Sequence, residues 1–209
     1  MILAQEALKR LRTGNQRFAS DDRDRANQAN TVRRGELTGG QAPFAIILGC
    51  SDSRVPAEIV FDQGLGDLFV IRVAGNIVAP SQIGSVEFAA EQFGTPLVVV
   101  LGHSMCGAVL ATLDELDRPS ESRSPNLRSI VNRIRPAVET LLDTNLRHDR
   151  EALVRHAIRA NIRTAANQLR RESQILEQLI KREKLLVVGA EYSLDTGIVE
   201  FFDGLPSEE

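Results

Sequence analysis

Four short apolar runs divide the chain and predict the strands of one sheet. Each run is rich in β-branched residues, is bounded by glycine or proline, and stays apolar at successive positions instead of alternating with polar residues. Continuous apolar runs of this length are typical of parallel strands that are covered on both faces. The four predicted strands are FAIILG (44–49), LFVIRVAG (68–75), PLVVVLGH (96–103) and KLLVVGAEY (184–192).

Segments with helical spacing separate most of these runs. The segment 80–94 begins with Pro and Ser, ends with Gly and carries apolar residues on one helical face. The segment 151–183 has an apolar stripe long enough for one helix, or for two helices joined near 171–173. An N-terminal helix is predicted over 4–20, and GIVEFFDG (197–204) could supply an edge strand. The alternation predicts an α/β fold, with right-handed crossovers around a mainly parallel central β-sheet flanked by helices.

Length, charge and cysteine content narrow the class of protein. The 209 residues are enough for a single domain over 1–209, with 1–43 as an N-terminal helical arm and 44–209 as the α/β core. A net charge of −3 excludes a global basic field for nucleic acid, and no run reaches the roughly 18 apolar residues of a membrane span. Two cysteines do not make a secreted disulfide scaffold, so a cytoplasmic protein is expected.

Two compact polar motifs follow two of the predicted strands. GCSDSR (49–54) follows the first strand, and GHSMCG (102–107) follows the third. Open parallel sheets bind ligands outside the carboxyl ends of their strands, where both motifs fall. If residues 50–54 continue extended, Cys50, Asp52 and Arg54 point to one side.

The second motif adds two candidate metal ligands. If His103 and Cys106 open the next helix, their spacing places both on one helical face, and an adjacent parallel strand would bring Cys50 beside them. This ligand set leaves a tetrahedral zinc ion one open position, and soft ligands favour zinc over magnesium or calcium. The alternative is a structural role, because a buried cysteine is usually an inert small hydrophobe. A structural zinc site normally has a fourth Cys or His, whereas here the candidate fourth ligand is Asp52.

Arg54 explains how that aspartate could be held away from the metal. A guanidinium binds a carboxylate bidentately, so Arg54 can pin Asp52 and keep it ionised. An ionised carboxylate only accepts hydrogen bonds, so a zinc-bound hydroxide beside it must donate its proton towards Asp52. The nucleophile is thereby oriented, and Asp52 and Arg54 form a candidate catalytic dyad.

The two motifs resemble the Cys-x-Asp-x-Arg and His-x-x-Cys pattern of the β-class carbonic anhydrases. The resemblance extends to 61–76, 84–90 and 187–201. It implies one zinc ion per chain on the ligands named above, catalysis by the Asp-Arg dyad, and reversible hydration of carbon dioxide to bicarbonate and a proton. It also implies a homodimer whose N-terminal helical arm packs on the partner subunit, with dimers often paired into homotetramers.

The resemblance further implies a substrate pocket of the constitutively open type. Gln41 matches a glutamine that hydrogen-bonds substrate, Phe69 matches an aromatic wall, and Phe88 stands where tyrosine is frequent. The allosteric type has a tryptophan where this chain has Ile47. A narrow apolar pocket bordered by Phe69, Phe88 and Val55 suits carbon dioxide, and the Gln41 amide suits an oxygen that gains charge. The alternative is that both phenylalanines are ordinary core residues.

Other functions stay open at this point. A hydrolase of carbon disulfide or carbonyl sulfide would use the same hydroxide on a related linear molecule. A thiol redox or zinc-sensing protein would pair Cys50 with Cys106 in a disulfide, which leaves Asp52 and Arg54 unexplained. A non-catalytic zinc module has no use for a carboxylate that can leave the metal.

Overall fold

A five-stranded sheet forms the centre of the computed structural model, which describes residues 2–23, 31–118 and 124–206. The strands are β1 (Ala45–Gly49), β2 (Leu68–Arg72), β3 (Leu97–His103), β4 (Leu186–Tyr192) and β5 (Val199–Asp203). Their order is β2-β1-β3-β4-β5, with the first four parallel and β5 antiparallel to β4. The predicted α/β fold with a mainly parallel sheet is confirmed, and the predicted edge strand is β5.

Helices pack on both faces of this sheet. Those in the described ranges are α1 (Ala4–Ala19), α2 (Thr31–Glu36), α3 (Ala57–Val60), α4 (Pro80–Gln92), α5 (Gly107–Asp117), α6 (Pro125–Val138), α7 (Arg150–Arg171) and α8 (Gln174–Lys181). The segment 151–183 takes the two-helix arrangement, because the Ser173 hydroxyl accepts a hydrogen bond from the Leu176 N–H and caps α8. No helix in the described ranges is long and apolar enough to cross a bilayer.

The two faces of the sheet bury two different clusters of apolar side chains. Successive residues of a strand point to opposite faces, so Ile46 and Leu48 of β1 enter one cluster and Ala45 and Ile47 enter the other. The first cluster contains side chains from α4 to α8, and the second contains side chains from α1 and α3. Cys50 keeps the parity of Ile46 and Leu48 and belongs to the first cluster.

The N-terminal helix packs on its own chain. One face of α1 is buried in the second cluster through Ala7, Leu8 and Leu11. The Asn15 side chain donates to backbone carbonyls of two other segments and accepts from the Val199 N–H, which fastens α1 to the sheet. Packing of this arm on a partner subunit stays a prediction, and its residues 24–30 lie outside the described ranges.

The parallel register brings the two polar motifs to one edge. β1 and β3 are neighbours, with Gly49 aligned to Leu101, so the chain leaves both strands at the same carboxyl edge of the sheet. β2 flanks β1 on the outside and aligns Arg72 with Gly49, which places this arginine at the same edge. Three neighbouring strands of the sheet, β2, β1 and β3, therefore place polar groups at the same carboxyl edge.

Candidate metal centre and active site

Three buried side chains converge between the ends of β1 and β3. The Sγ atoms of Cys50 and Cys106 and a ring nitrogen of His103 lie within 4.8 Å of one another. The carbonyl of Ser104 lies 2.9 Å from Nδ1 of His103 and can only accept, so Nδ1 carries the hydrogen. Nε2 of His103 is then a buried lone pair with no hydrogen-bond partner among the described residues. Two thiols and such a nitrogen fit a metal that accepts soft and imidazole ligands.

The route by which Cys106 reaches this group differs from the sequence prediction. His103 is the last residue of β3, and Cys106 is the N-cap residue that precedes α5, so the prediction that both lie on one helical face is wrong. The chain reverses between them through Met105, whose φ of 57° lies in the left-handed region. This reversal turns the Cys106 thiol back towards His103.

The two thiols have opposite titration behaviour in the metal-free group. A hydrogen bond from Cys106, followed by backbone N–H groups, lowers the pKa of Cys50 to about 4 against the opposing effect of burial. The pKa of Cys106 is raised, because its thiol donates to Cys50 and is buried. Cys50 is therefore the thiol of the pair that gives up its proton more readily, and a bound cation would favour the second thiolate.

The segment after β1 folds back on itself. The Val55 N–H donates to the Asp52 carbonyl at 3.0 Å and closes a turn, so the extended conformation predicted for 50–54 is wrong beyond Asp52. The turn brings the Arg54 side chain back onto Asp52, with Nε 2.9 Å from Oδ1 and Nη2 2.7 Å from Oδ2. These hydrogen bonds hold the pKa of Asp52 well below its usual range. The structure thus shows the ion pair; its catalytic role stays a prediction.

Asp52 borders the metal-ligand group without being one of its three converging donors. Its Oδ2 lies 3.8 Å from Nε2 of His103, and only 17% of its side chain is exposed. The predicted fourth-ligand role is neither shown nor contradicted by this geometry. The carboxylate is held by Arg54 and stands next to the position that a metal would take.

Arg72 supports the same loop from the neighbouring strand. Its Nε donates to the Cys50 carbonyl at 3.1 Å, and its Nη2 donates to the Asp52 carbonyl at 2.7 Å. One guanidinium thus holds the backbone of a candidate ligand and of the candidate dyad. Sequence reasoning missed this role, because the contact depends on the register that aligns Arg72 with Gly49.

The predicted substrate residues are spread over several environments. Phe69 on β2 and Phe88 on α4 lie 6.3 Å apart between ring centroids, and both also contact Phe93, which the sequence analysis missed. Phe88 is 53% exposed, so it is not an ordinary core residue within this chain. Val55 is buried in the second cluster with α1 and α3, and Gln41 is exposed before β1. Their roles towards substrate stay predictions.

Comparison with known proteins identifies the family. The family model described as "Carbonic anhydrase" matches residues 45–199. A carbonic anhydrase of Mycolicibacterium smegmatis is 40% identical over 194 residues, which are 93% of this chain and 91% of that protein. The solved β-carbonic anhydrase CcaA is 28% identical with a TM-score of 0.77, covering 94% of this chain and 95% of its own. A tetrameric β-carbonic anhydrase of Sordaria macrospora is 25% identical with a TM-score of 0.72, covering 83% and 87%. With both cysteine motifs at the sheet edge, the chain belongs to the β-carbonic anhydrase family.

Proposed function

We propose that this protein catalyses the reversible hydration of carbon dioxide to bicarbonate and a proton, with one zinc ion per chain on Cys50, His103 and Cys106. The observation that carries the proposal is the convergence of these three buried donor atoms beside the ion-paired carboxylate of Asp52. Membership of the carbonic anhydrase family supports the same reaction. When bound, zinc lowers the pKa of a water molecule and so supplies a nucleophile near neutral pH.

The ligand residues are arranged to offer lone pairs and not protons. The hydrogen bond between His103 Nδ1–H and the Ser104 carbonyl fixes the tautomer and leaves Nε2 free to bind the metal. The lowered pKa of Cys50 makes its thiolate available. Two thiolates and one neutral imidazole complete a set that suits zinc and leaves one position for water or substrate.

Asp52 and Arg54 are proposed to orient the attacking water. The ionised carboxylate can only accept a hydrogen bond, so a water molecule that donates to Asp52 presents a lone pair in another direction. The two hydrogen bonds from Arg54 fix the carboxylate plane and oppose its protonation. Arg72 donates to the carbonyls of Cys50 and Asp52 and so keeps the loop in place during this step.

The substrate side of the proposal uses apolar walls and one amide. Phe69 and Phe88 present an aromatic surface that suits a small apolar molecule, and Gln41 is exposed and free to donate to an oxygen that gains charge. Val55 is enclosed by the second cluster, so its contribution is to hold the turn that carries Asp52. We propose that this site is of the open type, without control by bicarbonate.

A homodimer or homotetramer is proposed as the active assembly. β2 is an edge strand of the sheet, its apolar residues are only half-buried, and the aromatic side chain of Phe88 beside it is exposed. An apolar edge of this kind favours pairing with another chain. The neighbouring Sordaria macrospora enzyme is tetrameric. Since both thiols must stay reduced to bind metal, a cytoplasmic setting suits the proposal.

The alternative functions are not favoured. The relatives and the family model are named as carbonic anhydrases, which argues against a carbon disulfide or carbonyl sulfide hydrolase. A redox sensor would have no use for the carboxylate that Arg54 holds beside the thiols.

Stopped-flow carbon dioxide hydration at mildly alkaline pH tests the proposal on protein with quantified zinc. The parent should turn over rapidly with one zinc ion per chain, whereas Asp52→Asn should lose about 100-fold or more in kcat/KM while keeping its zinc, because the amide no longer acts as an acceptor only. Zinc-loaded parent protein without hydration activity would contradict the proposed reaction. Full activity of Asp52→Asn would contradict the orienting role.

A further inference from the structure

A buried asparagine of α7 connects to the candidate metal ligand Cys50 through one glycine. Asn161 is 3% exposed, and its Nδ2 donates to the Gly75 carbonyl at 2.8 Å. The Gly75 N–H in turn lies 3.3 Å from Sγ of Cys50. Residues from three separate parts of the chain thus form one buried series that ends on a sulfur atom.

Gly75 forms a tight turn in a backbone conformation that few other residues adopt. Its φ of 71° and ψ of 19° lie in the left-handed region, where residues other than glycine are strained. A Cβ at this position would approach Ile134 Cδ1 at 2.8 Å and Ala108 Cβ at 3.0 Å, so α5 and α6 enclose the turn on one side. Asn161 supplies the polar partner that the buried carbonyl needs on α7.

The chemistry of the donor explains the choice of residue. A carbonyl oxygen only accepts, so Asn161 must present its amide NH₂ to Gly75, and an apolar residue would leave that carbonyl buried without a partner. Asn161 interrupts an apolar stripe between Ile158 and Ile162, whose side chains are core residues. Burying a polar side chain at this position costs free energy. Packing therefore does not explain why the residue is an asparagine.

We propose that Asn161 is a positioning residue for the metal centre, which aims the Gly75 N–H at the Cys50 sulfur and so sets the strength of that ligand. Hydrogen bonds to ligating atoms orient them and adjust the charge that they donate to the metal. Asn161 touches neither metal nor substrate and acts through the glycine. The inference rests on the proposed zinc site and adds a residue that lies 86 positions from the glycine it supports.

Zinc affinity and a cobalt spectrum test this role in the full-length protein. Asn161→Leu keeps the branched shape and the number of side-chain heavy atoms and removes the donor, and Asn161→Ala removes the donor without adding bulk. The matched control is Thr95→Val, because the buried Thr95 hydroxyl also donates to one backbone carbonyl, that of Pro43. Thr95 lies just before β3, at the opposite end of that strand from His103. Zinc dissociation constants are measured by chelator competition, and cobalt-substituted protein reports the thiolate-to-metal charge-transfer band.

The two Asn161 variants should bind zinc about 10- to 100-fold more weakly and shift the charge-transfer band, whereas Thr95→Val should stay within about twofold of the parent with an unshifted band. Parent-like affinity and spectrum in either Asn161 variant, or an equal loss in Thr95→Val, would overturn the role of Asn161.

Measurements on the parent separate this inference from the proposed function. Cadmium-loaded parent protein should show scalar coupling between the metal and the Gly75 amide proton through the Cys50 sulfur, and its absence overturns the inference even if both variants fail to fold. A parent that binds no metal overturns the proposed zinc site and the inference together. A parent with one zinc ion per chain and unaffected Asn161 variants overturns only the inference.

Discussion

The carboxyl edge of the sheet and the flank formed by α7 with β4 and β5 use polar groups in different ways. At the flank, Arg159 binds Glu191 at 2.7 Å and also pairs with Glu200, while Arg170 binds Asp203 at 2.7 Å. At the edge, Nε2 of His103 is buried without a hydrogen-bond partner in the part of the chain that the structure describes. Charged side chains of the flank pair with one another, whereas the edge keeps the lone pair of a His103 ring nitrogen available to a metal. We therefore expect the groups of the flank to stabilise the fold and those of the edge to bind a ligand.

The same comparison separates two kinds of arginine. Arg159 and Arg170 lie on a helix and bind carboxylates of the sheet, which holds two elements together. Arg54 and Arg72 bind groups of one short loop, and the carboxylate that Arg54 holds stands next to the ligand group. Substitutions at the edge should therefore change metal binding or turnover, and substitutions at the flank should change stability.

Loss of a thiol ligand is the largest effect expected at the edge. Cys106→Ser should abolish stoichiometric zinc and lower hydration activity by at least about 1,000-fold, because a neutral hydroxyl replaces a thiolate ligand. Metal analysis by mass spectrometry and stopped-flow hydration measure both quantities. Met105→Leu is the control, since Met105 lies between two ligands but is 58% exposed and outside the ligand group. Retention of one zinc ion by Cys106→Ser would remove Cys106 from the proposed ligand set.

Arg54→Gln should separate turnover from metal binding. We expect activity to fall by about 100-fold with zinc retained, because glutamine cannot hold the Asp52 carboxylate bidentately. The matched control is Arg118→Gln, whose guanidinium pairs with Asp117 on the surface away from the ligand group. Loss of zinc in step with activity would show that Arg54 supports the metal and not the reacting water.

The pH dependence of the same variant sharpens the assignment. Hydrogen bonds from Arg54 lower the pKa of Asp52, so in the parent the ionised form persists until the pH falls through that lowered value. Without Arg54 the pKa of Asp52 should rise towards its ordinary value. The acid limit of activity in Arg54→Gln should therefore move to higher pH than in the parent. An unchanged acid limit would show that Asp52 does not control it.

A smaller effect is expected just before His103 on β3. A Cβ at Gly102 would meet Ile162 Cδ1 at 2.5 Å, so Gly102→Ala must displace the end of a core side chain of α7. We expect the free energy of unfolding to fall by about 1–3 kcal/mol. Chemical denaturation measures it, with Gly84→Ala as the control, because a Cβ there meets no described atom within 4 Å apart from its chain neighbours and the backbone of its own helix. Equal stability of Gly102→Ala and the parent would mean that Ile162 adjusts freely.

The smallest effect belongs to the flank. Arg159→Ala should lower the free energy of unfolding by about 1 kcal/mol or less, because the side chain is partly exposed and its ion pairs are screened by solvent. Zinc content and hydration activity should equal those of the parent. A loss of zinc in this variant would contradict the division between flank and edge.

The fold was predictable because its signals are local. Continuous apolar runs identified β1 to β4 as parallel strands. The segment 151–183 was predicted as one helix or as two joined near 171–173, and the cap that the Ser173 hydroxyl makes explains why it forms two. The residue types at the metal centre were predictable for a related reason. Both cysteines follow predicted strand ends and His103 is the last residue of a predicted strand, and adjacent parallel strands bring such ends together.

The geometry of the site was not predictable, because it depends on turns and distant contacts. The left-handed conformation of Met105 and the turn after Asp52 are not encoded by a glycine or proline at these positions. The contacts of Arg72 depend on strand register, and the contact of Asn161 depends on how α7 crosses the sheet. One signal was available: Asn161 is a polar residue within an apolar helical stripe.

Both cysteines of the chain lie in the ligand group, and neither is spare. A thiol reagent therefore has nothing else in the molecule to modify. Both thiols are buried in the folded chain, so a reagent reaches them only when the site opens, and where zinc occupies the site as proposed the thiolates are also coordinated. The rate of a simple colorimetric titration would then report how often the site opens, and its response to a chelator would report how far the metal keeps the site closed, without a substrate and without a label.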